Sequence, residues 1–472
     1  MLFNSIDYFL FFSIVLIAFR SNFGSQNARL FFLLICSYYF YASNNGWLLL
    51  LILTSTIIDY YAALKIESSR DKGTKKNYLI LSIAANLTIL CFFKYFNFFG
   101  EAVVNFFKLF DHDASWDPLA IALPVGISFY TFQSMSYTID VYRGTLSAEK
   151  RLLNVALYVS FFPQLVAGPI VRAKNFLWQL QEARIVGIRT TEAACFLIIM
   201  GLFKKIVLGD YLGVYVDDIY SSPADFSSLE ILTAAYAFSF QIYFDFSGYS
   251  DIAIGSAMLL GFRIPPNFKR PYAAVSITEF WRRWHMSLSF WLRDYLFKPL
   301  GGTRMATTSG GYRNIIITML LGGLWHGASW NFVFWGGLVG ALLTLEKLAY
   351  QAKLSADFLG KPFKRFLRAF LLFNVITFTW IPFRVDSMGD LATILSGIAA
   401  LDLPNSVSLN VILIMITIVL SWAAMLLFNA FSLKKIILKL PSTLRISSYG
   451  AAWCALIIFG SRDVTPFIYF KF

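Results

Sequence analysis

Charge is what this chain has least of. Of 472 residues only 14% are Asp, Glu, Lys or Arg, against 58% hydrophobic, and the mean hydropathy is +0.63. Soluble domains carry about a quarter of charged residues, so a water-facing fold is excluded. Histidine is rarer still, with three copies, His112, His285 and His326, too far apart for HExxH or a histidine box. The four cysteines, Cys36, Cys91, Cys195 and Cys454, form no CxxC pair and sit among apolar neighbours. Neither a disulfide framework nor a metal site is expected, and the thiols read as buried and inert. GxSxG, Walker and GxGxxG patterns are missing as well, which leaves serine-hydrolase and nucleotide-binding chemistry without support.

What is there in abundance is long uncharged sequence. Runs near 3–19, 29–43, 47–64, 77–97, 119–137, 193–208, 230–246, 313–346, 369–385, 408–430 and 447–461 approach the ~20 residues that cross a hydrocarbon core. We therefore expect an all-α polytopic membrane protein with about eleven or more segments. "MLFNSIDYFLFFSIVLIAFR" has neither a basic n-region nor a small-residue cleavage site, so it reads as the first span.

A formal net charge of +13 raises the question of nucleic acid, and its distribution answers against it. Basic residues collect in alternate loops: five against two acidic in 65–76, eight against two in 263–304, four against none in 431–446. The intervening loops are acidic, with five acids and no base in 209–230 and four acids against two bases in 94–118. By the positive-inside rule the basic loops are cytoplasmic, which places the N-terminus outside.

Two stretches depart from simple spans. "LYVSFFPQLVAGPIVRAKNF" (157–176) carries Pro163 and Gly168-Pro169 and suits a re-entrant element buried in protein. The uncharged run 314–344 would extend about 46 Å as one helix, well beyond the ~30 Å core. Two short or kinked segments fit better, with Gly322-Gly323 and Gly336-Gly337 as breaks or close-packing points. His326 then lies near mid-depth, at the base of a protein-lined cavity. It is either a base that takes a proton from a hydroxyl or a hydrogen-bonded tie between helices.

His285 lies in "ITEFWRRWHMSLSFWLRDYLFKPLGG" (277–302). Written as a helix, Trp281, Trp284, Leu288, Trp291 and Tyr295 make one aromatic stripe, with Arg282, Ser289 and Arg293 toward another side. That pattern predicts an interfacial amphipathic helix anchored at headgroup level. His112, in the acidic "LFDHDASWDP", reads as solvated. Asp245 and Asp251, with Gln241 and Ser247 nearby, either bind a proton or ion or satisfy buried backbone and aromatic hydroxyls.

The motifs "FFPQLVAGPIVR" (161–172), "YFDFSGYSDIAIGSAMLLGF" (243–262), "NFKRPYAAVSITEFWRRWHMSLSFWLRDYLFKPLGG" (267–302), "GGLWHGASWNFVFWG" (322–336) and "FIYFKF" (467–472) run collinearly along the chain. In them it resembles the membrane-bound O-acyltransferase superfamily, in particular its bacterial alginate O-acetyltransferase-like branch. The resemblance implies one acyltransferase domain over 1–472, with broken helices around a central tunnel, in the bacterial inner membrane. It maps the essential histidine to His326 and a second site histidine to His285. Trp325, Trp330 and Asn331 become candidates for shaping the tunnel, and Lys269, Arg270, Arg282 and Arg283 for the donor's phosphates.

The implied donor is cytoplasmic acetyl-CoA, with no permanently bound cofactor. The implied acceptor is an extracytoplasmic polysaccharide, such as an alginate-like exopolysaccharide, cellulose or peptidoglycan. The branch usually works with a separate SGNH-hydrolase-like extracytoplasmic protein, for which this chain has no soluble stretch long enough. Membrane lipids are partners by location, and nucleic acid is not. Rival readings are D-alanyl transfer from a carrier protein to teichoic acid, a proton-coupled transporter or flippase using Asp245 and Asp251, and a non-catalytic scaffold.

Overall fold

A computed structural model describes the chain except for residues 22–23, 44, 111–114, 167, 183–185, 303–308, 352–360, 405, 429–435, 437–438, 460–465 and 469–472. His112 therefore lies outside the described residues. Every regular element among the described residues is helical, and the chain forms two compact units, 1–191 with 256–265 and 192–255 with 266–472.

The first unit holds α1 (Ile6–Arg20), α2 (Gln26–Ala42), α3 (Leu49–Ser68) and α4 (Lys72–Leu90). A π turn, Cys91–Tyr95, joins α4 to α5 (Phe96–Lys108). Then come α6 (Ile127–Tyr142), α7 (Leu152–Ser160), α8 (Phe162–Leu165) and α9 (Ala173–Phe176). Short oxygen-bearing residues start several of these helices by taking an orphan N–H. Ser5 Oγ accepts from Tyr8 N at 3.2 Å, Ser25 Oγ from Ala28 N at 3.2 Å and Asp71 Oδ2 from Thr74 N at 2.7 Å. Between α3, α4 and α6 the fully buried Asp59 accepts from Ser82 Oγ at 2.5 Å, from Asn86 Nδ2 and from Ser134 Oγ. Neutral donors thus solvate a buried carboxyl group.

Over 157–176 the backbone is broken: α7, α8 and α9 are short, α7 and α8 are almost wholly buried, and α9 buries Ala173 and Phe176. Its freed backbone groups are paired inside the unit. Tyr158 O accepts from Gln133 Nε2 at 2.5 Å and Gln164 Nε2 at 2.9 Å, and Tyr158 OH donates to Val171 O at 2.9 Å. Such pairing is what permits irregular backbone at membrane depth. The expected span 119–137 begins later, at Ile127, because Gly126 takes a left-handed φ of 76° against the Leu165 carbonyl, where a Cβ would come within 2.6 Å.

In the second unit α10 (Ile188–Leu202, entering from the first) runs through a π turn, Phe203–Gly209, into α11 (Asp210–Ser221). The long α12 (Ser228–Leu259) follows, then α13 (Ile277–Trp281), α14 (Met286–Trp291) and a π turn, Leu292–Phe297. The remainder is α15 (Ser309–His326), α16 (Trp330–Gln351), α17 (Lys361–Arg384), α18 (Met388–Ala399), α19 (Leu409–Leu427) and α20 (Ser442–Phe459). The run 314–344 does split into two helices, but neither glycine pair is the break. The chain turns at 327–329, and the glycines let α15 and α16 touch: a Cβ on Gly323 would lie 3.0 Å from Gly336 Cα, and one on Gly336 3.1 Å from Leu320 Cα.

The helix predicted over 277–302 is corrected. It is interrupted at 282–285, and Trp284, Leu288, Trp291 and Tyr295 are all buried. A stripe of aromatics has the same period whether it faces lipid headgroups or a protein interior, so spacing alone misplaced it. The cysteines are corrected too: Cys36 and Cys195 are half-buried, Cys91 and Cys454 exposed. Apolar neighbours do not signal an interior where the outer surface is itself apolar.

Five helical stretches among the described residues are long and apolar enough to cross a membrane: Gly46–Ser68, Lys72–Lys108, Trp330–Gln351, Phe363–Arg384 and Leu409–Leu427. Of the other expected spans, α1 with 15 residues and α2 with 17 are helical but short.

Candidate active site

The site lies within the second unit and starts from the end of α15. His326 is that helix's last residue, 5% exposed. The helix stops there because Gly327 is packed against the Phe332 ring and the chain turns into α16. Around the imidazole stand Trp335 of α16 and Phe383 of α17, each with its ring centroid 5.2 Å away, and Trp325 at 5.0 Å. Asn331, buried, donates from Nδ2 to Val385 O at 2.9 Å. It therefore ties the start of α16 to the end of α17 and holds Phe383 over the histidine.

His285 arrives from the broken segment. It sits between α13 and α14 with a φ of 40°, a left-handed conformation that costs a non-glycine residue on the order of 1–3 kcal/mol. The neighbouring strand of chain holds it there. Asn267 O accepts from Met286 N at 2.9 Å, Asn267 Oδ1 from Ser287 N at 3.3 Å, and Lys269 N donates to Arg283 O at 2.9 Å. The imidazole is 1% exposed, 4.6 Å from the Phe246 ring and 5.8 Å from Trp325. Two histidines 41 positions apart thus meet the same indole, that of Trp325.

Behind them is a wall of aromatic rings. Trp335 stacks on Trp380 at 5.7 Å, Trp380 meets Trp284 at 5.0 Å, and Trp284 stacks on Phe280 at 5.6 Å. Trp380 Nε1 donates to Tyr272 OH at 3.1 Å, which donates to Ser239 O at 2.6 Å, so that indole is satisfied. The indole N–H groups of Trp281 and Trp335 are buried without an acceptor among the described residues, and their rings lie 5.8 Å apart.

The other sequence candidates fall in different places. Trp330 opens α16 with 59% of its surface exposed. Arg283 is paired with Glu279 and also donates to Arg270 O at 3.4 Å. Arg270, at a φ of 49°, reaches Leu426 O at 3.4 Å. Lys269 and Arg282 are the exposed members of the basic set.

Sequence reasoning passed over Asn267, Trp335, Trp380 and Phe383, which it had no means to separate from ordinary core. It also passed over Lys204 and Lys205. These two pair with Asp245 and Asp251: Lys205 Nζ lies 2.8 Å from Asp245 and 2.7 Å from Asp210, and Lys204 Nζ 2.5 Å from Asp251. Asp245 Oδ2 also accepts from Ile468 N at 2.6 Å, and Phe467 packs 5.2 Å from Phe246, the ring against His285. The signal was there, two lysines inside an otherwise apolar run beside two aspartates in another.

The model of the membrane-bound O-acyltransferase family matches residues 34–385. The chain is 40% identical over 336 residues to a probable alginate O-acetylase of Azotobacter vinelandii, covering 71% of this chain and 65% of that protein. It is 34% identical over 379 residues to a peptidoglycan O-acetyltransferase of Helicobacter pylori, covering 75% and 70%. To a teichoic acid D-alanyltransferase of Bacillus subtilis it is 32% identical over 238 residues, 47% and 58%. The chain belongs to the membrane-bound O-acyltransferase family, and within it to the branch of the alginate O-acetylases. It spans about 65% of the length of the A. vinelandii relative.

Proposed function

We propose that the protein moves an acetyl group from cytoplasmic acetyl-CoA to an extracytoplasmic polysaccharide, with His326 as general base. The observation that carries this reading is the convergence of His326 and His285 on Trp325 inside a buried aromatic wall, in a chain whose relatives are named O-acetylase and O-acetyltransferase. In the reaction a neutral His326 takes the proton of an acceptor hydroxyl as its oxygen forms a bond to the thioester carbon. The carbon–sulfur bond breaks, and the CoA thiolate is protonated, restoring the neutral base. His285 orients the acyl group or returns that proton. Lys269 and Arg282, exposed, are the members of the basic set we assign to the donor's phosphates.

The same reading has a tunnel open to both faces, eleven or more membrane segments in the bacterial inner membrane, and a separate SGNH-hydrolase-like partner that completes transfer to the glycan. Against a transporter stand the lysine partners of Asp245 and Asp251, which neutralise the carboxylates such a mechanism would use. The D-alanyl reading shares the histidines and differs in its donor.

The test is release of free CoA from acetyl-CoA by the purified protein, with partner and glycan supplied. His326→Ala should lower kcat by about 10²–10⁴-fold, the worth of a general base, while the variant keeps the parent's melting temperature. Turnover of a D-alanyl carrier protein but not of acetyl-CoA would replace the donor. Unchanged turnover by a folded His326→Ala would remove the base.

A further inference from the structure

Two ion pairs stand side by side behind the site, and they differ in what else they hold. The π turn Phe203–Gly209 lies tight against α12: a Cβ on Gly248 would come 2.7 Å from Gly201 O, and one on Gly209 3.3 Å from Asp245 N. That approach gives each of two consecutive lysines its own aspartate on α12, Lys204 with Asp251 and Lys205 with Asp245. Lys204 and Asp251 make no bond to the segment 466–468 among the described residues. Lys205 and Asp245 grip it from both sides. Lys205 Nζ donates to Pro466 O at 3.5 Å, and Asp245 Oδ2 accepts from Ile468 N at 2.6 Å.

Between those two bonds sits Phe467, fully buried. Its ring stacks on Tyr249 at 4.6 Å and meets Phe246 at 5.2 Å. Phe246 in turn lies 5.1 Å from Phe268 and 4.6 Å from the imidazole of His285. The wall on that side of His285 is thus two rings deep, and charged side chains fix its outer ring. Buried backbone groups outside regular structure must find partners, and charge-assisted bonds are about twice as strong as neutral ones. Asp210, 2.7 Å from Lys205, already supplies that lysine with a counter-charge. Asp245 is therefore a second carboxylate on one ammonium, and its other oxygen goes to an N–H 223 positions away in the chain.

We propose that Lys205 and Asp245 are positioning residues for acyl transfer: they clasp 466–468 so that Phe467 holds Phe246 against His285. The role rests on the reading of His285 as a site residue given above. Lys204–Asp251 provides the comparison within the molecule, a pair on the same turn and the same helix with no link to 466–468.

The experiment takes two readouts on the purified full chain in detergent. One is kcat and KM for the donor that the parent turns over. The other is the rate at which diethyl pyrocarbonate modifies His285, followed by peptide mass spectrometry with His326 as the internal reference. Asp245→Asn leaves Lys205 its Asp210 partner but removes the ion pair and the charged acceptor. Ile468→Pro deletes the clasped N–H and leaves every charge in place. Each should lower kcat about tenfold or more, the worth of a hydrogen bond to a charged group, with KM for the donor within about twofold of the parent's. Each should also speed modification of His285 several-fold relative to His326. Asp251→Asn should cost stability only, with kcat and the His285 rate at the parent's level. Unchanged kcat in folded Asp245→Asn and Ile468→Pro would overturn the positioning role, and an unchanged His285 rate would overturn the clasp. Equal losses in Asp251→Asn would overturn it too, because any broken ion pair would then suffice. Should Asp245→Asn fail to fold, Ile468→Pro decides. The His285 rate needs no donor, so a parent that turns over neither acetyl-CoA nor a D-alanyl carrier would sink the proposed reaction while the clasp is still decided.

Discussion

At the scale of single residues, the site depends on groups that hold the histidines as much as on the histidines. His285 keeps a left-handed backbone in a place where nothing forces it except its neighbours, and Asn267 supplies two of the three bonds that do so. Asn267→Ala should remove the bond to Ser287 N in a buried turn and lower stability by about 1–3 kcal/mol. Its effect on turnover should exceed what that loss of folded protein explains. Melting temperature and CoA release measured on the same preparation separate the two, and a loss of activity in step with unfolding would make Asn267 a structural residue only. Sequence reading named both histidines and Trp325, which the fold brings together. It did not reach Asn267 or the Trp335–Trp380 stack, because a polar residue in a loop and a tryptophan in an apolar run have many ordinary explanations.

Helices in this chain meet through their smallest residues. Lipid offers no hydrophobic drive for one helix to leave it for another, so close backbone approach and dispersion must do so. The hairpin α15–α16, which presents His326, is the clearest case. Adding a methyl at Gly323 drives it into the backbone of α16, whereas one at Gly337 meets only the Leu320 side chain at an ordinary 3.5 Å. Gly323→Ala should therefore cost about 1–3 kcal/mol and displace His326, with activity lost. Gly337→Ala should melt and turn over like the parent. Thermal unfolding in detergent, with CoA release alongside, checks both, and equal behaviour of the two variants would contradict the packing role. The paired glycines were visible in the sequence, but whether each made a break or a contact depended on the partner helix. The same ambiguity undid the interfacial reading of 277–302, whose aromatic period was correct and whose environment was not.

For the molecule as a whole, the charge pattern sets the orientation. Loop 65–76, five basic against two acidic, should face the cytoplasm, and 209–230, with five acids and no base, the outside. In a background with the four cysteines replaced, Ser69→Cys should react with a membrane-impermeant maleimide only in inverted vesicles, and Ala224→Cys only in intact cells. The opposite pattern would invert the path proposed for donor and acceptor.

Sequence alone determined the class: too little charge for water, uncharged runs of membrane length, and two histidines in motifs collinear with one family. These are properties of local composition and order, and they survive without knowledge of what touches what. Tertiary structure decided the rest. It paired Asp251 with Lys204 and Asp245 with Lys205, moved Trp281 and Trp284 of an expected surface stripe into the aromatic wall, and brought His285 and His326 to one indole. Each of these is a relation between residues distant in the chain. Its energy comes from pairing or packing that exists only once the helices have met.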